Sequence, residues 1–145
     1  MEYIFVFVLW TFVIYWMHRL AHIIPFVARI HADHHRYVVK NTVTWHWSNL
    51  FLFNDTWLST LDLWITEVVP TAVLSYFFGW WLIAAYYVWA AFIQERIEHN
   101  EQFDYYPFTS GRWHMIHHKT ASVNYGIIFP VWDKIFGTFR PVNDS

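Results

Sequence analysis

The sequence predicts an all-α integral membrane protein with about three transmembrane helices. Apolar residues make up 57% of the 145 residues and charged residues only 14%, whereas soluble domains are nearer a quarter charged. Aromatic residues reach 23%, and Trp and Tyr are favoured where a membrane meets water. The length corresponds to one domain, so we expect residues 1–145 to form a single membrane domain.

The first predicted transmembrane helix covers residues 3–24. No charged residue occurs from Tyr3 to Met17. The apolar character continues to Ile24, and Pro25 then stops the helix because proline has no backbone N–H. At 1.5 Å per residue this helix would span about 33 Å, enough to cross a hydrocarbon core of about 30 Å.

The second uncharged stretch, from Val68 to Ile93, is too long for one straight crossing. Gly79 lies near its middle and marks a plausible turn. We therefore predict two helices here, at residues 55–78 and 80–98. The first of them carries Asp62 and Glu67, which places its early turns at the membrane interface or against the protein interior.

The positive charges predict how the chain is oriented. All nine Lys and Arg fall in residues 19–40 and 96–140, and positively charged segments remain on the cytosolic side of a membrane. Two crossings must then separate these segments. We expect an extracytosolic N-terminus and a cytosolic helical cap formed by residues 25–54 and 99–145.

Composition also excludes several functions. The net charge of −2 and the lack of a basic stripe argue against a nucleic-acid partner. The chain has no Cys, which excludes disulfides, thiolate metal sites and cysteine nucleophiles.

Histidines are the most informative residues, because nine of the ten fall in four clusters. The clusters are His18 and His22; His31, His34 and His35; His99; and His114, His117 and His118. Residues at i, i+3 and i+4 share one face of a helix, so each cluster can direct its imidazoles to one place. A solvated histidine-rich surface is the alternative, but two copies of the same triplet spacing favour a metal site in the cap.

The number of histidines indicates a di-metal site. Imidazole suits Zn, Cu, Ni or Fe, and a structural zinc site is complete with four ligands. Nine histidines would supply two ions with about four or five ligands each. Two close redox-active ions suit O₂ activation, for which iron is the commonest metal. Carboxylates would orient the imidazole rings and offset the metal charge. The candidates are Asp33, Glu95, Glu98 and Asp133. Each of them could instead be an ordinary solvated charge at a helix end.

These motifs resemble the fatty acid hydroxylase/sterol desaturase superfamily over nearly the whole chain, from His18 to Phe139. The resemblance rests on His18/His22, His31-Ala32-Asp33-His34-His35, His99-Asn100 and Trp113-His114-Met115-Ile116-His117-His118. The tail is also similar to the C-terminal signature of that family: Asn124-Tyr125-Gly126, then Trp132-Asp133-Lys134-Ile135-Phe136-Gly137-Thr138-Phe139.

The resemblance implies a membrane enzyme with a histidine-bound di-iron centre. Such enzymes use O₂ and two electrons to hydroxylate or desaturate lipids, and the substrate here would be fatty acyl or sterol-like. No His-Pro-Gly-Gly haem-binding motif occurs, so the electrons would come from a separate cytochrome b5-like or ferredoxin-like donor. The chain departs from the family in its three expected helices, where members often have four. It also has Glu95 where lipid hydroxylases often have a histidine, so Glu95 is a candidate ligand or neighbour of a ligand.

Several alternatives stay open at this point. The enzyme could be a carotenoid hydroxylase, or the chain could be a non-catalytic membrane metal-binding protein, and a homo-oligomer is left open. His46, outside the clusters, fits an interfacial position better than the mouth of a substrate site. Asn124 is a further candidate ligand or neighbour of a ligand. The turn that begins there would either shape the cap over the metals or serve only as a turn with a left-handed Gly126.

Overall fold

The computed structural model describes residues 2–141, and all regular structure in that range is helical. The predicted all-α class is therefore confirmed for this part of the chain. The helices are α1 (Glu2–Ala21), α2 (Pro25–Lys40), a 3₁₀ turn (Trp47–Phe51), α3 (Trp57–Phe78), α4 (residues 81–97), α5 (Arg112–Lys119) and α6 (Val131–Ile135).

Helix α1 ends at Ala21, three residues before the predicted end. The chain turns back between His22 and Ile24, where the amides of Ile23 and Ile24 both donate to the carbonyl of Leu20. Ile24 then precedes α2 in an extended conformation, and Pro25 begins that helix. Proline suits the first position of a helix because its missing N–H is not needed there. Pro25 thus starts the second helix as well as separating it from the first.

Helices α3 and α4 form the predicted hairpin around Gly79. Gly79 has φ +108°, a conformation that glycine adopts far more readily than other residues. Each helix contains a π-helical segment, Trp64–Val68 in α3 and Trp89–Gln94 in α4. Such segments are rare and occur frequently at functional sites.

Two helices are long and apolar enough to cross a membrane, Glu2–Ala21 and Trp57–Phe78. They support a membrane-associated protein. Helix α4 occupies the third predicted crossing, but its 17 residues span only about 25 Å. The count of three crossings and the sidedness of the cap therefore stay predictions.

The core lies where α1 packs against α3 and α4. Its buried side chains are Val6, Trp10, Ile14, Leu63, Val68, Leu82, Tyr86, Ala90 and Ile127. The Trp10 indole N–H donates to Thr71 Oγ1 at 2.8 Å and ties α1 to α3. The outer faces of these helices carry exposed aromatic side chains such as Tyr3 and Tyr76. An apolar outer surface of this kind suits contact with lipid acyl chains.

Candidate metal centre

All nine clustered histidines lie together at one end of the helices, in two groups. The first group has five members and the second has four. They are His18, His22, His31, His35 and His117, then His34, His99, His114 and His118. Within each group the available ring nitrogens lie within 4.8 Å of one another. Both groups draw on α2 and α5, so the two histidine triplets meet at this centre.

Four histidines of the larger group form a closed ring of Nε2 atoms. The Nε2 distances are 2.9 Å from His22 to His31 and 3.0 Å from His31 to His35. They are 3.1 Å from His35 to His117 and 3.1 Å from His117 back to His22. A point at the centre of such a ring lies about 2 Å from each nitrogen, which is the usual distance from a metal to an imidazole nitrogen. The ring therefore fits a single ion.

Backbone carbonyls fix the orientation of two rings in this group. His18 Nδ1 lies 2.8 Å from the carbonyl oxygen of Tyr125, and His117 Nδ1 lies 2.7 Å from that of Val123. A carbonyl oxygen only accepts hydrogen bonds, so each Nδ1 carries the hydrogen. The Nε2 of each neutral ring is left with a lone pair directed into the group, as metal binding requires.

The Asp62 carboxylate fixes the orientation of the His31 ring in the same way. Its Oδ2 lies 2.8 Å from His31 Nδ1, and both side chains are buried. A carboxylate behind a histidine ligand fixes the ring and increases its basicity. The sequence did not single out Asp62 as a site residue, although its acidic side chain within an apolar helix was a signal of an interior role.

The smaller group is incomplete without a further partner. His114 and His118 approach each other at 3.0 Å through Nε2. His99 Nδ1 donates to Glu95 Oε1 at 3.2 Å, which leaves a lone pair on His99 Nε2. That Nε2 is buried and has no hydrogen-bond partner, although buried polar atoms are nearly always paired. A metal ion within reach of these nitrogens would satisfy it.

The electrostatics of the centre keep most of its imidazoles neutral. Burial, and next the charge of His31, lowers the pKa of His22 and of His35 to about 3. Burial also lowers the pKa of four others well below the ordinary value: His34, His114, His117 and His118. Metal ligation needs the neutral form of histidine, which these rings hold at neutral pH.

His99 is the exception. Burial by itself lowers its pKa, but the hydrogen bond and negative charge of Glu95 and the charge of Glu98 together raise it above the ordinary value. Glu98 Oε1 also lies 3.4 Å from His114 Nε2. The smaller group therefore has two buried carboxylates beside it, and both were among the sequence candidates.

Asp33 does not take the position that the sequence allowed for it. Its carboxylate accepts a hydrogen bond from Thr56 Oγ1 at 3.2 Å and lies 3.5 Å from Arg36 Nη2, so it is not hydrogen-bonded to a histidine. Although Asp33 is adjacent to His34 in sequence, successive residues point in different directions on a helix.

Asp133 supports the centre only through the backbone. Its carboxylate accepts hydrogen bonds from the amides of Tyr125 and Gly126, both at 2.8 Å, and from Thr138 Oγ1 at 2.7 Å. These bonds hold the turn whose Tyr125 carbonyl contacts His18. None of these hydrogen bonds joins Asp133 to a histidine, and its part in the metal site stays a prediction.

Asn124 has a structural role in the same turn. It has φ +53° and is fully buried, so the left-handed residue is Asn124 and the expectation for Gly126 was wrong. Its side chain donates to the carbonyl of Arg140 and accepts from the Arg140 amide. Gly126 is needed for space, because a Cβ there would lie 2.5 Å from the carbonyl oxygen of Phe129.

His46 is exposed and lies outside both groups. Its Nδ1 accepts from the Ser48 amide at 3.4 Å, and its own amide donates to Asn49 Oδ1 at 2.7 Å. It thereby caps the 3₁₀ turn. His46 also lines an open cavity of about 680 Å³, so an exposed position fits it better than a role in the centre.

The fold and the site together define a helical, membrane-associated protein with nine converging histidines. Residues 3–138 match the fatty acid hydroxylase family, and the chain belongs to that family. The resemblance inferred from the motifs is thereby confirmed. None of the solved structures matches the chain significantly.

Three curated relatives carry sterol desaturase names. The chain is 26% identical over 132 residues to the Delta(7)-sterol 5(6)-desaturase erg3B of Aspergillus fumigatus, covering 91% of this chain and 37% of that protein. It is 31% identical to the putative Delta(7)-sterol-C5(6)-desaturase 2 of Arabidopsis thaliana, covering 90% and 45%. It is 32% identical to the Delta(7)-sterol-C5(6)-desaturase of Nicotiana tabacum, covering 92% and 48%. The chain spans less than half the length of each.

Proposed function

We propose that this protein is an O₂-dependent di-iron oxidoreductase that hydroxylates or desaturates a lipid. The observation that carries the proposal is the convergence of nine histidines in groups of five and four. A structural zinc site would need only four ligands in all. Two adjacent groups of imidazoles suit a pair of redox-active ions.

The proposed ligands are the nine histidines of the two groups. One iron would be held by His18, His22, His31, His35 and His117, and the other by His34, His99, His114 and His118. Two iron ions held there would supply the electrons that activate O₂ for attack on an unactivated C–H bond. Glu98 Oε1 lies 3.4 Å from His114 Nε2, and Glu98 is our candidate for a further contact with that iron.

The chain itself contributes orientation and exclusion of water. Asp62 and the carbonyls of Val123 and Tyr125 hold three rings of the first group, and Glu95 holds His99 in the second. Most of the rings are buried, His117 completely. A dry, pre-arranged site prevents side reactions of a strong oxidant and fixes the substrate relative to it.

The substrate is proposed to be a fatty acyl or sterol-like lipid. The curated relatives are named for desaturation of Delta(7)-sterols, and the centre lies next to two apolar helices that could cross a membrane. Lipid can therefore approach from the side of the bilayer. Reducing equivalents would come from a separate cytochrome b5-like or ferredoxin-like protein.

The proposed orientation places the metal centre on the cytosolic face and the N-terminus outside. All nine Lys and Arg lie in the two segments that carry the histidines, and none lies near Gly79. The positive-inside rule then puts the histidine end of the helices in the cytosol.

The test is metal and product analysis of the purified full-length chain and two variants. We expect about two irons per chain after anaerobic reconstitution, because two groups of donors are present. Expressing cells should contain an O₂-dependent lipid product, detected by untargeted lipid mass spectrometry. His117→Ala should lose at least one iron and the product, while the matched control His46→Ala should retain both. Less than one iron per chain, together with identical lipids for wild type and His117→Ala, would overturn the proposal.

A further inference from the structure

The segment between α2 and α3 has an exposed aromatic surface. Residues 41–61 contain only one Asp, Glu, Lys or Arg, which is Asp55. Trp47 and Phe51, on the 3₁₀ turn, are 61% and 71% exposed, and Trp57, the first residue of α3, is 78% exposed. Tryptophan is favoured at the headgroup level of a membrane, and α3 is one of the two helices long and apolar enough to cross it. This surface therefore continues the apolar outer face of α3 and suits the headgroup layer.

The segment is held in place by the helices beside it. The Tyr87 hydroxyl, on α4, donates to the carbonyl of Leu50 at 2.9 Å. The Trp64 indole N–H, on α3, donates to the carbonyl of Leu52 at 3.1 Å. These bonds fix the backbone of the 3₁₀ turn relative to both helices, so the space beside the turn has a defined shape.

That space is the open cavity of about 680 Å³ between the end of α2 and the 3₁₀ turn. Cavities of roughly 300–1,000 Å³ are the usual size of ligand sites. Four aromatic side chains line it: Tyr37, Trp47, Phe51 and Phe53. Asp55 is the one acidic residue in its wall, and the wall contains no Lys or Arg. Aromatic faces attract cations, and quaternary ammonium groups above all, so this wall suits an ammonium group.

The charge of Asp55 makes the cavity electrostatically negative. In the part of the chain that the structure describes, Asp55 forms no ion pair with a Lys or Arg. Its charge is the main cause that raises the pKa of the Tyr37 hydroxyl, which shows that the carboxylate acts on that aromatic residue. Loss of solvent, and next the charge of Glu95, raises the pKa of Asp55 itself. A cation in the cavity acts in the opposite direction and favours the ionised carboxylate.

We propose that this cavity binds the ammonium group of a zwitterionic phospholipid from the surrounding bilayer. The aromatic faces, Trp47 among them, attract the cation, and the Asp55 carboxylate neutralises it. The acyl chains lie against exposed apolar side chains of α3 such as Leu58 and Leu61. A soluble amine lacks the contacts with α3, so a membrane lipid is the favoured occupant. The site goes beyond the proposed function, since the lipid is bound there by its headgroup and is not oxidised.

The first test compares phospholipids that share their acyl chains and differ in the headgroup. The full-length chain, as purified in detergent, is mixed with equal amounts of dioleoyl phosphatidylcholine, phosphatidylethanolamine and phosphatidylglycerol. Bound lipids are then counted by native mass spectrometry. We expect each ammonium lipid to bind about tenfold more than phosphatidylglycerol, because the aromatic faces and the carboxylate each contribute part of that factor. Equal binding of the three lipids would overturn the inference.

The same experiment distinguishes a lipid from a soluble amine. Choline chloride carries the quaternary ammonium group without acyl chains, so an excess equal to that of the lipid should leave phosphatidylcholine bound. Displacement of the lipid by choline at that concentration would show that the cavity takes a soluble amine, and would refute the assignment to a membrane lipid.

The second test locates the carboxylate that acts on the headgroup. Asp55→Asn keeps the shape of the side chain and removes its charge, so the preference for ammonium lipids over phosphatidylglycerol should fall by about threefold. The matched control is Glu101→Gln, which removes an exposed carboxylate outside the cavity and should leave the preference unchanged. An unchanged preference in Asp55→Asn, or an equal loss in Glu101→Gln, would contradict the role of Asp55.

The third test concerns the aromatic wall. Trp47→Leu keeps an apolar side chain and removes the ring, so the preference should again fall by about threefold. The matched control is Trp57→Leu, at an equally exposed tryptophan that does not line the cavity. Both tryptophans are on the surface, so neither change disturbs the core. A Trp47→Leu chain that keeps the full preference for ammonium lipids would count against the aromatic wall.

Binding is measured without O₂ or reductant, so it does not depend on turnover. A preference for ammonium lipids without any oxidised product would overturn the proposed function and leave this site intact. An oxidised product together with equal binding of the three phospholipids would do the opposite.

Discussion

The hydrogen bond from His31 to Asp62 allows a quantitative test of the larger histidine group. Asp62→Asn keeps the shape of the side chain and removes its charge. A hydrogen bond to a charged group contributes about 1.5–3 kcal/mol and a neutral one about 1 kcal/mol. Because both residues are at most 5% exposed, solvent screens little of this difference. The difference of about 0.5–2 kcal/mol corresponds to a metal dissociation constant that is roughly 2- to 30-fold larger.

The assay is anaerobic titration of the chain with Fe²⁺ against a chromophoric chelator. We expect two classes of iron site in the wild type. In Asp62→Asn only one class should bind iron more weakly, by about tenfold. Removal of other side chains that hydrogen-bond to metal ligands has effects of this size. The matched control is Asp33→Asn, because Asp33 bonds to Thr56 and Arg36. Unchanged iron affinity in Asp62→Asn, or an equal loss in Asp33→Asn, would show that Asp62 does not support a metal ligand.

Three further predictions concern pH, space and topology. Burial, and next the charge of a neighbouring histidine, lowers the pKa of His22 to about 3, against about 6.5 when unfolded. Since the folded chain then binds fewer protons, metal-free protein should lose stability as the pH falls from about 6.5 toward 3; a Tm that is constant over pH 7 to 5 would contradict this. Gly126→Ala should lower the free energy of unfolding by about 1–3 kcal/mol, because its Cβ would lie 2.5 Å from the carbonyl of Phe129; an unchanged denaturation midpoint would contradict the packing. The chain has no Cys, so single cysteines can be labelled selectively. Lys40→Cys and Trp80→Cys should react with a membrane-impermeant maleimide from opposite sides of a vesicle. Labelling of both from the same side would exclude a membrane crossing by α3.

The histidine positions are readable from sequence because their spacing repeats a helical period. His31, His34 and His35 share one face of a helix whatever packs against it, and α2 does form there. The hairpin at Gly79 is also a local property, since a glycine interrupts an otherwise continuous apolar stretch. Both inferences need only the neighbouring residues.

The carboxylates show where sequence reasoning ends. Asp62 is separated from His31 by 31 positions, and their contact depends on how α3 packs against α2. Asp33, two residues from His31, points to Thr56 and Arg36 instead. Adjacency in sequence therefore indicates little about which carboxylate supports a metal ligand, because that choice is made by tertiary packing. The left-handed backbone conformation, expected at Gly126, occurs at Asn124 for the same reason. The Asn124 side chain is fixed by hydrogen bonds to the backbone of Arg140, 16 positions away.

The two histidine groups use unequal parts of the polypeptide, and this affects the order in which they can be assembled during synthesis. A nascent chain that ends before His99 already contains four of the five donors of one group, but only His34 of the other. A first ion could thus be held loosely before residues 99–118 are synthesised, whereas a second ion must wait for that segment. Damage to residues 99–118 would consequently leave four donors of the larger group and only one of the smaller group.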